Sequence, residues 1–376
     1  MNWVFLDLIG WDYDVSAPLA RPLGGSQSAF CYLATALARR GERVTTLTGI
    51  KQPRTVNGVQ CLRHEDIPVE VFSPSDTLTI VLNGPAEVIR EIRKVLPTDK
   101  PAILWTQHAH DQPATQPLRD PAIVAMWDRI VCISDWQQSM FQKQLGVPAE
   151  KMQVLRNAIS PAFENLFASA AQLAETKSKE LRLAYTSTPF RGLDLLIACF
   201  PSIHRRHPIC RLDVFSSMQV YGQPDAQDSY RPLYAQCQKT PGIVYRGSVS
   251  QSELAKELAG VTMLAYPNTF AETSCIAAME ALAAGLVVVS AELGALPETC
   301  GSWARLVPPV DKDRTHEQFA VDFARHVDHA LNELQSDRPR WMQRCFEQSQ
   351  AINATCTWGV RAAQWQQAAN QWLGNR

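Results

Sequence analysis

The sequence predicts an α/β protein made of two doubly wound domains in tandem. Short apolar, strand-like runs alternate with helical stretches along most of its 376 residues. That alternation pauses over 165–181, a more polar stretch with no strand signal, and then restarts. The length has room for two domains at about 150–200 residues each. Alternation at this pitch implies parallel sheets with helices on both faces.

The elements follow in order. Residues 3–9 form a short apolar strand. Gly24-Gly25-Ser26-Gln27-Ser28 comes next, then a helix over 29–40 with Phe30, Leu33, Ala34 and Leu37 at helical spacing and Gly41 as its stop. Strands are expected at 43–48, 77–82, 102–106, 129–134 and 152–156, with helices at 86–96 and 135–145. After the pause come strands at 182–187, 210–216, 242–245, 262–266 and 286–290, and helices at 193–200 and 274–284. The end, 341–373, reads as helix, with Trp358, Trp365 and Trp372 repeating on one face as packing residues. The expected domains are 1–170 and 181–345, with 346–376 a C-terminal helical segment.

Composition narrows the function. Apolar residues make up 46% and charged residues 19%, enough for a packed core and unlike a disordered chain. The net charge of −1 and the absence of a nucleic-acid motif argue against a nucleic-acid partner. The first residues include Asp7 and lack a basic stretch, so they read as strand and not as a signal peptide. Ten scattered cysteines without C-x-x-C spacing read as reduced thiols of a cytoplasmic protein.

The most informative stretch is 266–285, YPNTFAETSCIAAMEALAAG. A strand ends, a loop carries Glu272, a helix is expected from Thr273 or Ser274, and Glu280 sits about two turns into it, roughly 9 Å along the axis. A helix start offers unpaired N–H groups and a positive dipole end to a phosphate. Carboxylates on either side could grip hydroxyls of two sugar rings flanking a diphosphate. An amphipathic helix with one capping and one solvated acid fits the same spacing.

Glu272 and Glu280, with seven residues between them, resemble the E-x7-E region of retaining glycosyltransferases of the GT-B fold, glycosyltransferase family four. Further stretches match in the same order: the Gly24-Gly25 loop with LATALARRGERVT, VCISDW, LGVPAEKMQVLRNAI and RGSVSQSEL. The resemblance implies two Rossmann-like domains facing across a cleft, acceptor side first and donor side second, with the last helix returning to the first domain. It implies transfer of a sugar, with retention, from a nucleotide-diphosphate-sugar to a hydroxyl of a glycan, a lipid-linked sugar or a protein. No metal and no cofactor are expected. It implies that Glu272, with Thr273, Ser274, Cys275 and Ile276, holds the donor sugar and diphosphate, that Glu280 binds the ribose, and that Gly24 and Gly25 admit the diphosphate.

This sequence departs from the family at the basic pair of the first turn of the second domain. Arg191 stands in the Lys place, and a hydroxyl residue, Thr186, next to Ser187, stands near the Arg place. A permanently charged guanidinium can still clamp a phosphate. The departure leaves open a second class of function, a non-catalytic nucleotide-sugar-binding module or subunit of a complex. Arg246 is a further donor-side candidate. His108 is the first choice for the family's active-site histidine and His110 the second, while Asp12 and Tyr13 are acceptor-side candidates. His108, His110 and Asp111 also read as a metal cluster, but no fourth ligand is evident. Asp311 and Asp313 read as solvated loop residues. Arg90, Arg93 and Lys94 form a small basic face, which leaves open a peripheral contact at the inner face of a membrane.

Overall fold

The computed structural model describes residues 1–177 and 180–374. The chain forms two compact units. The first contains residues 1–18 and 24–158 together with the segment from Trp358 onward; the second contains 19–23 and 159–357.

The first unit is built on eight strands: β1 (Asn2–Asp7), β2 (Arg43–Thr48), β3 (Arg54–Val56), β4 (Val59–Arg63), β5 (Thr77–Leu82), β6 (Ala102–Trp105), β7 (Arg129–Cys132) and β8 (Met152–Val154). Their order is β3-β4-β2-β1-β5-β6-β7-β8, parallel throughout except for the β3–β4 hairpin. Asn57 and Gly58, both at positive φ, turn that hairpin. The hairpin lies outside the sequence expectation because both strands are short and β3 is largely exposed. By contrast β1 and β5 are buried along their whole length, as strands covered on both faces must be. Helix Gly25–Arg39 crosses from β1 to β2 and ends where Gly41, at φ +86, lets the Glu42 N–H reach the Leu37 carbonyl.

The second unit has six parallel strands, β9 (Arg182–Tyr185), β10 (Arg211–Val214), β11 (Ile243–Tyr245), β12 (Met263–Tyr266), β13 (Val287–Ala291) and β14 (Ala304–Val307), in the order β11-β10-β9-β12-β13-β14. Each sheet is therefore doubly wound. Strand order reverses between β1 and β5 in the first and between β9 and β12 in the second. Loops beyond the carboxyl ends of strands at such a reversal form a crevice where ligands bind.

The division between units falls earlier than residue 170. Phe163, Phe167 and Leu173 are buried in the second core, and Ser169 caps a short helix, Ala170–Thr176, inside the stretch read as a linker. The polar surface of the 165–181 stretch hid Phe167 and Leu173, and Phe163 lies just before it.

The C-terminal stretch is two helices, not one. Arg338–Thr355 belongs to the second unit, where Gln348 Nε2 donates to the carbonyls of Leu282 (3.0 Å) and Leu286 (2.9 Å). Trp358–Gly374 belongs to the first unit. Trp358 lies against Tyr32, Trp365 against Trp3 and Trp105, and Trp372 Nε1 donates to Gln153 Oε1. The tryptophan stripe is packing, as its spacing predicts. Among the described residues no helix is long and apolar enough to cross a membrane.

Candidate active site

The second sheet's reversal brings two loops together. The loop after β9, 186–192, carries Arg191; the loop after β12, 267–275, carries Glu272. Gly192 has φ +102, and a Cβ there would overlap the Pro267 carbonyl oxygen, so only glycine lets the loops pass this closely. Gly294, at φ +62, does the same on the other side: a Cβ would lie 2.5 Å from the Glu272 carbonyl oxygen. The next residue, Ala295, donates its N–H to that oxygen at 2.7 Å.

The Glu272 carboxylate is buried. Its Oε1 accepts from Arg191 Nη1 at 2.7 Å and from the Tyr266 hydroxyl at 2.6 Å. The Arg191 guanidinium lies 4.6 Å from the ring centre of Phe270 and 5.4 Å from that of Phe190, a two-ring cation–π clamp. Burial works against the Arg191 charge, but Glu272 beside it outweighs that and holds its pKa above the ordinary range. Burial, and then Glu272, push the Tyr266 phenol well above its ordinary pKa, so it stays a hydrogen-bond donor.

On the loop that carries Arg191, three buried polar atoms have no partner among the described residues, Arg191 Nε, Thr186 Oγ1 and Thr188 Oγ1, and so does Ser216 Oγ after the neighbouring strand β10. Buried polar groups are nearly always paired, so a cluster of orphans marks a place where a polar ligand fits. Ser187 Oγ lies 3.3 Å from the Tyr266 oxygen.

The helix after Glu272 runs Ile276–Ala283, with Cys275 at its N-cap position. It starts two to three residues later than the sequence suggests, because Thr273 and Ser274 stay in the loop. Glu280 is consequently little more than one turn inside, not two. It is buried, accepts from the Ser160 N–H at 3.2 Å and is also bonded to Gln251. Burial raises its pKa to about 8, so at neutral pH it is largely a protonated carboxyl group. Cys275 is buried too, and burial raises its thiol well above the ordinary range, which makes it inert as a nucleophile.

Arg246 stands apart from this cluster in its bonding. Its Nε donates to Asp213 Oδ1 at 3.1 Å, and the fully buried Asp213 also pairs with Arg182 and Arg211. One buried carboxylate shared by three guanidinium groups gives Arg246 a structural partner that its sequence position does not reveal.

In the first unit, Gly24 is buried and precedes the helix that Gly25 opens. Tyr13 is not available for stacking on a sugar: it is buried against Phe30 and donates to Asp7 Oδ2 at 2.6 Å. Asp12 is exposed and accepts from the Lys51 N–H at 3.0 Å. His108 and His110 follow β6, each with a buried Nδ1 lacking a partner. Burial lowers the His108 pKa, which favours the neutral ring. Gln137 pins the loop by donating to the carbonyls of Thr106 (3.0 Å) and His108 (2.8 Å). Among the described residues no group of three or more His, Cys, Asp or Glu is placed to hold a metal.

Asp311 and Asp313 are exposed. The basic face over 90–94 is neutralised: Arg90 pairs with Asp120, Arg93 with Asp128 and Lys94 with Glu91.

Sequence reasoning missed Tyr266, Ser160 and Gln251. The one available signal was for Tyr266, a polar tip ending a strand just before the Glu272 loop.

Residues 182–324, spanning β9 to helix His316–Ser336, match the family described as Glycosyl transferases group 1. That stretch is a glycosyltransferase domain. The chain as a whole resembles solved structures of glycosyltransferases. Sucrose-phosphate synthase from Thermosynechococcus elongatus superposes with a TM-score of 0.71 at 16% identity, covering 100% of both chains. A glycosyltransferase from Rickettsia africae gives 0.73 at 10% identity, covering 100% of this chain and 99% of its own. Anabaena HepE, solved with UDP-glucose, gives 0.67 at 14% identity, covering 98% and 99%. At these identities the likeness is one of fold, GT-B. No curated protein matches this chain in sequence.

Proposed function

We propose that this chain moves a sugar from a nucleotide-diphosphate-sugar to a hydroxyl of a glycan, lipid-linked or protein acceptor, with retention of anomeric configuration and without a metal. The observation that carries the reading is the Arg191–Glu272 pair at the reversal of the second sheet, with unpartnered buried polar atoms on the Arg191 loop. Anabaena HepE, a neighbour in fold, binds UDP-glucose, which makes that the first donor to try.

The leaving diphosphate gains negative charge in the transition state. Arg191 and the N–H groups opening helix Ile276–Ala283 would stabilise it, as preorganised donors do in a dry site. Thr186 and Ser187 would donate to the phosphate oxygens. Glu272 would accept from a donor-sugar hydroxyl. Glu280, protonated at neutral pH, would reach the ribose. His108 and His110 are the candidates for the acceptor side, and Gly24 and Gly25 for a close approach of backbone to the diphosphate.

The test is a panel of nucleotide-sugars, UDP-glucose first, incubated in EDTA with the protein and a set of glycan, lipid-linked and peptide acceptors. Released nucleotide is read by mass spectrometry, and the anomeric configuration of product by NMR. Nucleotide release with retained configuration is the expected result. Binding without release from any donor overturns transfer, release that needs an added divalent cation overturns metal independence, and an inverted product overturns retention.

A further inference from the structure

We propose that Tyr266 is a positioning residue that saturates one oxygen of Glu272 and leaves the other as the single oxygen facing the donor sugar. The inference rests on the donor site proposed above and goes into its geometry.

A carboxylate offers about four acceptor positions, two on each oxygen. In Glu272 both positions on Oε1 are filled by the protein, by Arg191 Nη1 at 2.7 Å and by the Tyr266 hydroxyl at 2.6 Å. Oε2 has no partner among the described residues. The main chain is fixed as well, because Ala295 N–H holds the Glu272 carbonyl and Gly294 leaves no room for the loop to shift. With Cα and Oε1 both anchored, the carboxylate plane is set and Oε2 points one way.

Arg191 alone would not achieve this. A guanidinium at one oxygen can swing to a two-oxygen fork with the carboxylate, its favoured arrangement. The Tyr266 hydroxyl, bonded to Oε1 beside Arg191, anchors that oxygen and so fixes the rotation of the carboxylate, which keeps Oε2 out of the guanidinium's reach. Tyr266 can do so because its ring is fixed. It is 1% exposed and packs edge-on against Tyr185 at 5.7 Å, and Tyr185 is itself tied by its hydroxyl to the Thr188 carbonyl at 2.7 Å. Two consequences follow. Arg191 keeps its Nε unpaired and free for a phosphate oxygen. The donor sugar meets Glu272 through one oxygen, so deleting a single sugar hydroxyl costs most of that contact.

The test compares the wild type with Tyr266→Phe, Tyr266→Leu and Glu272→Ala, measuring kcat, donor KM and thermal unfolding on the donor identified by the panel. Tyr266→Phe keeps the ring and removes the hydroxyl. It is expected to lower kcat about tenfold, the worth of one hydrogen bond to a charged group, with donor KM within about twofold and unchanged unfolding. Adding Tyr266→Phe to Glu272→Ala is expected to cost far less than it does in wild type, since the hydroxyl's strong bond is to that carboxylate and its other partner, Ser187 Oγ, lies at 3.3 Å. If Tyr266→Phe matches wild type while Tyr266→Leu and Glu272→Ala lose activity, Tyr266 is a packing residue and the inference falls. If Glu272→Ala itself retains full turnover, the donor site is misassigned and the inference falls with it.

Discussion

The two sheets reverse strand order in the same way, and each places an acid and a tyrosine hydroxyl 2.6 Å apart in this region of its fold: Asp7 with Tyr13 in the first, Glu272 with Tyr266 in the second. The surroundings differ. Asp7 spends both oxygens inside the protein, Oδ1 on the Ile9 N–H and Oδ2 on Tyr13 and Gln27. Among the described residues no ion pair neutralises it, and burial raises its pKa, with His64 only partly opposing. Glu272 spends one oxygen and faces a guanidinium whose loop carries orphaned donors. The first cluster closes a loop; the second is incomplete without a ligand. An acid at a reversal is therefore not a site by its position. What distinguishes the two is how many of its lone pairs the fold has already used.

The sharpest way to break the comparison is to remove the cation from the second cluster. Arg191→Ala should lower turnover by about 100-fold or more, the scale of losing one preorganised charge donor, with a smaller effect on donor binding. Single-turnover rates alongside nucleotide binding by calorimetry check this. Unchanged rates would make the second cluster as structural as the first.

Changing the first cluster should do the opposite. Asp7→Asn disturbs a fully satisfied buried acid, so it should cost about 1–3 kcal/mol of folding stability in denaturant melts. Turnover per folded molecule should stay at wild type. A large loss of kcat in folded protein would mean the first reversal also carries chemistry.

Tightness of the crossing loops is peculiar to the second reversal. Gly192→Ala forces a side chain onto φ +102 and into the Pro267 carbonyl, and should destabilise by at least about 1–3 kcal/mol while misplacing Arg191. Thermal unfolding measures the first part and nucleotide binding the second.

A pH-dependent effect concerns Glu280. Its folded pKa of about 8 lies above the ordinary 4.5. Between those values the unfolded chain has released the proton and the folded chain keeps it, so stability falls as pH rises from about 4.5 to 8 and falls no further above that. Glu280→Gln, which stays neutral, should flatten this slope in melts taken from pH 5 to pH 8. An unchanged slope would assign the pH dependence to another group.

Much of this was legible in the sequence. The strands 43–48 and 77–82 coincide with those expected, since continuous apolar or β-branched runs leave no alternative period. The tryptophan spacing implied one buried face, and three rings occupy it. Boundaries were less legible. The start of helix Ile276–Ala283 was misplaced because Thr273 and Ser274 suit an N-cap by type, yet both stay in the loop, where Ala295 N–H holds the neighbouring Glu272 carbonyl. The unit boundary was misplaced because Phe167 and Leu173 are too sparse in a polar stretch to announce a core.

The sequence by itself determined the doubly wound class, the E-x7-E acids and the basic residue that faces them, because period and residue type are local quantities. Tertiary structure alone decided how those residues are used. It assigned Tyr13 and Arg246 to internal partners, joined Glu280 to Ser160 across 120 positions, and put Tyr266 on one oxygen of Glu272. The physical reason is that a polar group's role depends on which of its lone pairs and protons remain unpaired, and those partners come from parts of the chain that only packing brings together.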